Sequence, residues 1–311
     1  MRARRLKPAA DRTHYHVMSR TIHQTFLFKP DRYKEWIYDR ILYFSRIYFV
    51  DLHAVTIMDN HYHIVLAMRN PEFNEELLEA RFQLAHAKKK YPPIWSEWRA
   101  KAWHQKLTDL SEFMHDLNSS IARYINGQMD KKGHVWAERF KSVLIEDGPG
   151  LLACMAYVEL NPVRAKICDR ANEYRWCSVG RYYQGGSTKA GVTIPAMSAF
   201  HGFDKASQRQ QLFSLLVDRM VALEKGEEHA LTSDLGEMRA LIERTDMESL
   251  MGLAFRRTRW LVNSVILGSQ EYCTGMIEKF NLQSGNLKGP TPFEVGPGLW
   301  NSRRRIGPLL E

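Results

Sequence analysis

Two short stretches of this chain set a tyrosine between two histidines: His14-Tyr15-His16 and His61-Tyr62-His63. In an extended strand, residues two apart share a face. Each pair of imidazoles would therefore project side by side, with the intervening tyrosine pointing away. Two imidazoles so placed can chelate one divalent ion, but two donors do not complete a coordination shell. Histidine has many other uses, so spacing alone favours a structural role over a metal site for either pair. A third stretch, AYVELNPVRA, carries Tyr157 and Asn161. At i and i+4 these two share one face of a helix, so a phenol and an amide oxygen could meet the same ion. A tyrosine can also form a covalent intermediate in phosphoryl or nucleotidyl transfer. The plainer alternatives are a core tyrosine in an apolar helix and an asparagine that ends the helix before Pro162.

These residues need elements to hold them. His14 to Met18 alternates and reads as a strand. Pro30 to Tyr48 carries apolar residues at helical spacing. Leu52 to Ile57 and Tyr62 to Ala67 read as two strands joined through Met58-Asp59-Asn60. Residues 72 to 128 read as helical, broken at Tyr91-Pro92-Pro93, with a core helix from Leu107 to Asn126. Val135 to Ile145 reads as a further strand. Gly148-Pro149-Gly150 opens a helix over Leu151 to Leu160, which Pro162 ends or kinks. The order is β-α-β-β-α-β, which predicts an α+β fold: a ferredoxin-like, split βαβ antiparallel sheet with helices on one face. Tyr183 to Ser187 is a reasonable boundary. The expected division is a domain over 1–186, with a charged helical insert at about 70–106, and a mainly helical C-terminal extension over 187–311. Helices are expected there at Ala206–Lys225, Ser233–Arg244 and Ser249–Phe280.

Composition bounds the function. The chain has 311 residues, is 44% hydrophobic and 25% charged, and carries a net charge of +9. No run of apolar residues is long enough to suggest a membrane span, and the basic N-terminus has no apolar segment behind it. The four cysteines have no metal-binding spacing, so a reducing cytoplasmic setting without disulfides is expected. The positive charge is gathered at Arg2-Arg4-Arg5-Lys7, Lys88-Lys89-Lys90, Lys131-Lys132 with Arg139 and Lys141, Arg256-Arg257-Arg259, and Arg303-Arg304-Arg305. Any one cluster could be a solvated face, but five with aromatics between them favour phosphate contacts.

The combination of motifs resembles a known family. DNHYHIVL is similar to the metal-binding strand of the HUH single-tyrosine transposases, and AYVELNPVRA looks like the tyrosine helix of their REP-associated tyrosine transposase branch. Tyr15-His16-Val17-Met18-Ser19-Arg20, Gly133-His134-Val135-Trp136 with Arg139-Phe140-Lys141, and Tyr174-Arg175-Trp176-Cys177-Ser178 resemble further segments in the same order. The resemblance covers about residues 10 to 182, and Val265 to Tyr272 has a fainter likeness to an extension of longer members. Cys177 stands where the family usually has serine, and much of Asn70 to Lys106 has no counterpart.

The resemblance implies that His61 and His63 bind Mg²⁺ or Mn²⁺, with Asn161 as a third ligand, and that Tyr157 is the nucleophile. It implies that His14 and His16 are structural and that Tyr62 faces away from the metal. The expected activity is nicking and strand transfer on single-stranded DNA with REP-like hairpins, through a 5′-phosphotyrosine, by a bacterial, nucleoid-associated protein. A monomer is favoured over a homodimer. Arg139 and Lys141 are expected on the DNA backbone; the arm with Arg4 and Arg5 could read a groove or be disordered, and Arg256, Arg257 and Arg259 could belong to a second recognition module. Trp95, Trp98 and Trp103 could stack on bases or pack within the insert. Two rivals remain: a hydrolase in which the histidines activate water, and a nucleic-acid-binding protein without catalysis.

Overall fold

The computed structural model describes residues 6–195, 204–227, 251–252, 254, 259–280 and 292–302. The chain starts with strand β1 (Arg12–Arg20), helix α1 (Asp31–Ile47) and the hairpin β2 (Val50–Ile57) and β3 (His61–Arg69). Helices α2 (Glu75–His86), α3 (Glu97–Leu107) and α4 (Leu110–Gln128) follow, then β4 (Lys141–Ile145). In the sheet the order of these strands is β2-β3-β1-β4, all antiparallel, which is the split βαβ arrangement expected from the sequence. The fold is α+β.

Local chemistry explains the elements that matter for the site. Asp109 opens α4 by accepting hydrogen bonds from the backbone N–H groups of Ser111 at 2.6 Å and Glu112 at 3.2 Å, a cap that contributes about 1 kcal/mol. Its buried residues Leu110, Phe113, Met114, Leu117, Ile121 and Ile125 follow the helical period. Together with α1 they cover the sheet face that carries Tyr15, Val17, Tyr62, Ile64 and Leu66.

The expectation of helices on one face needs correction. Helix α5 (Pro149–Glu159) starts at Gly148, whose φ of 122° suits glycine, with Pro149 at the first helical position. Every α5 residue after Pro149 is buried, as an apolar helix without a polar face requires. It packs on the opposite face of the sheet, against Ala54, Val65, Val143 and Ile145. Both faces of β1–β4 are apolar enough to need a cover, so the sheet lies between two helical layers. A short helix α6 (Asn161–Arg164) and helix α7 (Ser178–Ala190) complete this region, α7 being kinked at Gly185 and Gly186.

The C-terminal part also departs from expectation. Helix α8 (Ala206–Lys225) forms as read. The helix expected over Ser249–Phe280 is instead broken: helix α9 (Arg259–Asn263), strand β5 (Ile266–Gly268) and helix α10 (Gln270–Lys279). Strand β5 pairs parallel to β4 through Leu144↔Ile266 and Ile145↔Leu267. Strands β6 (Phe293–Gly296) and β7 (Leu299–Ser302) then extend the sheet to the order β2-β3-β1-β4-β5-β7-β6. The physical cause is the open edge of β4, whose backbone groups need partners. Helical spacing in 249–280 gave no sign of an apolar triplet short enough to fill that edge. The helix expected at Ser233–Arg244 lies outside the described residues.

Candidate functional site

Alternation along the strands decides which side chains meet. In β1, His14, His16, Met18 and Arg20 face α5, and in β3, His61 and His63 do the same. Tyr15 and Tyr62 face the other way. Their hydroxyls donate to the Leu6 carbonyl at 3.1 Å and to Asn118 Oδ1 at 2.6 Å, so both are core residues with satisfied polar tips. The register pairs Met18 with His63 and Arg20 with His61, which puts His16 diagonal to His63.

That diagonal is a contact the sequence reading missed. His16 Nε2 and His63 Nδ1 lie 2.8 Å apart, and His16 Nδ1 lies 2.7 Å from the Leu261 carbonyl. A carbonyl can only accept, so His16 carries its proton on Nδ1. Burial lowers its pKa to about 4, so the ring is neutral at pH 7 and its Nε2 accepts. His63 therefore donates from Nδ1 and keeps its Nε2 lone pair. Burial, with His61 and His16 nearby, holds the His63 pKa well below the usual imidazole value.

His61 is set the same way by a different partner. Asn60 Nδ2 donates to the Gln24 carbonyl at 3.0 Å, which turns Asn60 Oδ1 toward His61 Nδ1 at 2.6 Å. His61 then donates from Nδ1 and presents Nε2 as a lone pair. Burial and the neighbouring Arg20 and Arg164 lower its pKa to about 4. The two rings are 5.0 Å apart, centre to centre. Such orienting bonds to the far nitrogen are how proteins prepare imidazole for a metal.

Tyr157 reaches this group from α5. Its ring centre lies 5.6 Å from His63 and 5.9 Å from His16, and the Arg164 guanidinium sits 4.5 Å over it. The residue is only 4% exposed. Burial raises the phenol's pKa, while Arg164 and the Asn161 amide beside the hydroxyl pull it down. Asn161 is buried and its Nδ2 donates to the carbonyls of Tyr157 at 3.0 Å and Val158 at 3.4 Å, leaving Oδ1 as its free donor atom. Glu159, fully buried, points elsewhere: it accepts from the Ser178 hydroxyl and from the Val179 N–H at 2.9 Å.

Two further groups escaped the sequence reading. Arg164 lies within the NPVRA stretch and Arg20 ends β1 opposite His61, and neither carries a spacing signal that marks it for a role. Each bears a guanidinium nitrogen that is buried without a hydrogen-bond partner among the described residues. Buried cationic donors left open in this way suit an anion. Lys141 opposes Met18 in the register, in the same row as His63, and is exposed with a loose 3.5 Å pair to Glu138. Arg139 is exposed nearby. Arg4, Arg5, Arg256 and Arg257 lie outside the described residues, as does the side chain of Arg259.

The donor set can be tested against a metal. Among the described residues no three His, Cys, Asp or Glu side chains are grouped to hold an ion. What exists is two neutral imidazoles with free Nε2 lone pairs and one amide oxygen on the facing helix. That fits a divalent ion whose remaining positions are filled by phosphate oxygens and water, and it suits Mn²⁺, which accepts nitrogen ligands more readily than Mg²⁺ does.

Fold and site together define an α+β protein in which two oriented imidazoles on a central strand face a buried phenol on a covering helix, beside one nitrogen each of Arg20 and Arg164 that is unpaired among the described residues. No protein-family model and no curated protein matches the chain. Among solved structures, a REP-associated tyrosine transposase bound to a REP hairpin is similar to 64% of this chain and 96% of its own length, at 14% identity and a TM-score of 0.37. That likeness is too remote to assign an activity.

Proposed function

We propose that this protein is a metal-dependent single-stranded DNA strand transferase with Tyr157 as nucleophile. The observation that carries the reading is the placement of the Tyr157 ring against His63 and beneath Arg164, beside imidazoles whose lone pairs are directed by His16 and Asn60. When bound, Mg²⁺ or Mn²⁺ would polarise the scissile phosphate and serve as its template. His61 and His63 would hold the ion through Nε2, with Asn161 through Oδ1.

Arg164 and Arg20 offer donors to the phosphate's non-bridging oxygens as charge gathers there in the transition state. The Tyr157 oxygen forms its bond to phosphorus as the bond from phosphorus to the 3′-oxygen breaks. The phenol's proton passes through water to the departing 3′-hydroxyl. The 5′-phosphotyrosine conserves the bond energy, so a 3′-hydroxyl can later reverse the step and rejoin DNA. The hairpin substrate comes from the sequence resemblance, and the +9 charge supports a polyanionic partner. The other proposed phosphate contacts are Arg139 and Lys141, beside the site, and Arg4, Arg5, Arg256, Arg257 and Arg259.

A hydrolase reading is less favoured, because the described residues supply no carboxylate grouped with the imidazoles. The test is a denaturing gel of the protein with single-stranded hairpin DNA labelled on the 5′-phosphate side and Mn²⁺. A slow-migrating adduct that disappears in Tyr157→Phe and with chelator is expected. Cleavage without an adduct that survives Tyr157→Phe would overturn the proposal.

A further inference from the structure

The insert between β3 and α4 has tryptophans in two different situations. Trp95 and Trp103 pack edge-on against Phe82 of α2, at 5.2 and 5.3 Å between ring centres, and His86 lies 4.2 Å from Phe82 and 5.8 Å from Trp103. These rings lock α2 to α3 and serve the insert's own core. Arg81 fastens α2 to the body of the protein: one guanidinium nitrogen donates to the carbonyls of Arg46, Ile47 and Tyr48 at 2.8 to 2.9 Å. These carbonyls lie at the C-terminal end of α1, where the helix itself leaves its last C=O groups without an N–H partner.

The tip of this fastened hairpin is different. Tyr91, Ile94 and Trp98 are 81%, 86% and 76% exposed. Large apolar side chains so open, within eight residues of one another, are unusual on a surface that has no partner. Each exposed ring also has a cation over it. Lys90 lies 5.4 Å from the centre of Tyr91 and Arg99 lies 4.9 Å from the centre of Trp98. Arg99 also donates to the Ile94 carbonyl at 3.1 Å, which ties the start of α3 to the segment that carries Ile94. From 88 to 101 the chain carries Lys88, Lys89, Lys90, Arg99 and Lys101 against the single carboxylate of Glu97.

We infer that the tip of the insert is a second nucleic-acid contact, a platform on which unpaired bases stack on Trp98 and Tyr91 while Lys88, Lys89, Lys90 and Arg99 meet the phosphates. Open aromatic faces beside cations are the chemistry that takes single strands without regard to sequence. Charge complementarity selects the occupant, since a protein or lipid surface of neutral charge would leave the lysine run unused. The insert leaves the sheet after Arg69, whereas His61 starts the same strand. The nine residues of β3 separate its two ends by about 26 Å at about 3.3 Å per residue. This inference shares with the proposed function only its nucleic-acid partner, and it does not require cleavage.

The experiment measures fluorescence anisotropy of labelled oligothymidylate with the full chain, Trp98→Ala, Tyr91→Ala and a Lys88, Lys89, Lys90→Gln triple variant. Each aromatic truncation is expected to weaken binding roughly fivefold or more, and the lysine variant to reduce the salt dependence. Binding is measured without a divalent ion, so loss of the platform is read apart from any loss of cleavage or of the adduct. Wild-type affinity in both aromatic variants would overturn the inference. So would duplex DNA competing as well as single strands. Self-association that Trp98→Ala abolishes while DNA affinity stays unchanged would assign the patch to a protein contact instead.

Discussion

The bond between His16 and His63 makes a quantitative prediction. His16→Ala removes the acceptor for the His63 Nδ1 proton, a 2.8 Å contact deep in the structure. His63 is 2% exposed, so water cannot readily replace the lost partner. A buried donor without an acceptor costs about 1–3 kcal/mol. His63 avoids that cost by moving its proton to Nε2, which removes the lone pair that would hold the ion. Either way the loss falls on metal binding, and at about 1.4 kcal/mol per decade it corresponds to roughly 5- to 150-fold in affinity. That range agrees with the usual effect of removing a partner behind a metal-bound imidazole, about 10- to 100-fold. Calorimetric titration of Mn²⁺ into wild type and His16→Ala at pH 7 measures it. Circular dichroism and the thermal midpoint establish that the variant is folded. A folded His16→Ala that binds Mn²⁺ as tightly as the wild type would refute the reasoning, because His16 would then have no influence on the metal-facing nitrogen.

Two predictions concern stability. A methyl group added at Gly180 would overlap the Tyr174 carbonyl oxygen, with the carbonyl carbon at 2.7 Å. Backbone cannot step aside cheaply, so Gly180→Ala should cost about 3 kcal/mol or more and lower the thermal midpoint by several degrees; an unchanged midpoint would show that the turn is looser than described. His53 is buried, its Nδ1 donating to the Thr193 carbonyl at 2.6 Å, and burial with His14 nearby lowers its pKa from 6.5 to about 3. Between those values the unfolded chain binds the proton and the folded chain does not. His53's contribution is therefore complete above pH 6.5 and is lost as pH falls through this window. From pH 7 to pH 5 this one residue should cost about 2 kcal/mol, visible as a lower urea midpoint that His53→Gln makes less pH-dependent. A midpoint equally steep in that variant would exclude His53 as the source.

Much of the fold was legible because its signals are local. The period of two in His14–Met18, the helical spacing in Pro30–Tyr48 and the turn at Met58-Asp59-Asn60 each depend on neighbours in sequence. The same alternation separated His61 and His63 from Tyr62, and Tyr157 and Asn161 could be placed on one helical turn. Helices on both faces were harder to see. The apolar α5 reads as buried, but its sequence does not say against which side of the sheet. The extension was misread at Ile266–Gly268 for a related reason, since three residues pair there only because β4 offers an edge more than a hundred positions earlier.

By itself, then, the sequence determined the residue types available for chemistry, the four-strand order and the elements that carry His61, His63 and Tyr157. Only the tertiary structure decided how they are oriented. His16 and His63 are 47 positions apart, and His16 and Leu261 are 245 apart. No spacing rule reaches that far. Which nitrogen of a histidine carries the proton depends on the atom opposite it, and strand register and the return of the C-terminal chain supply that atom.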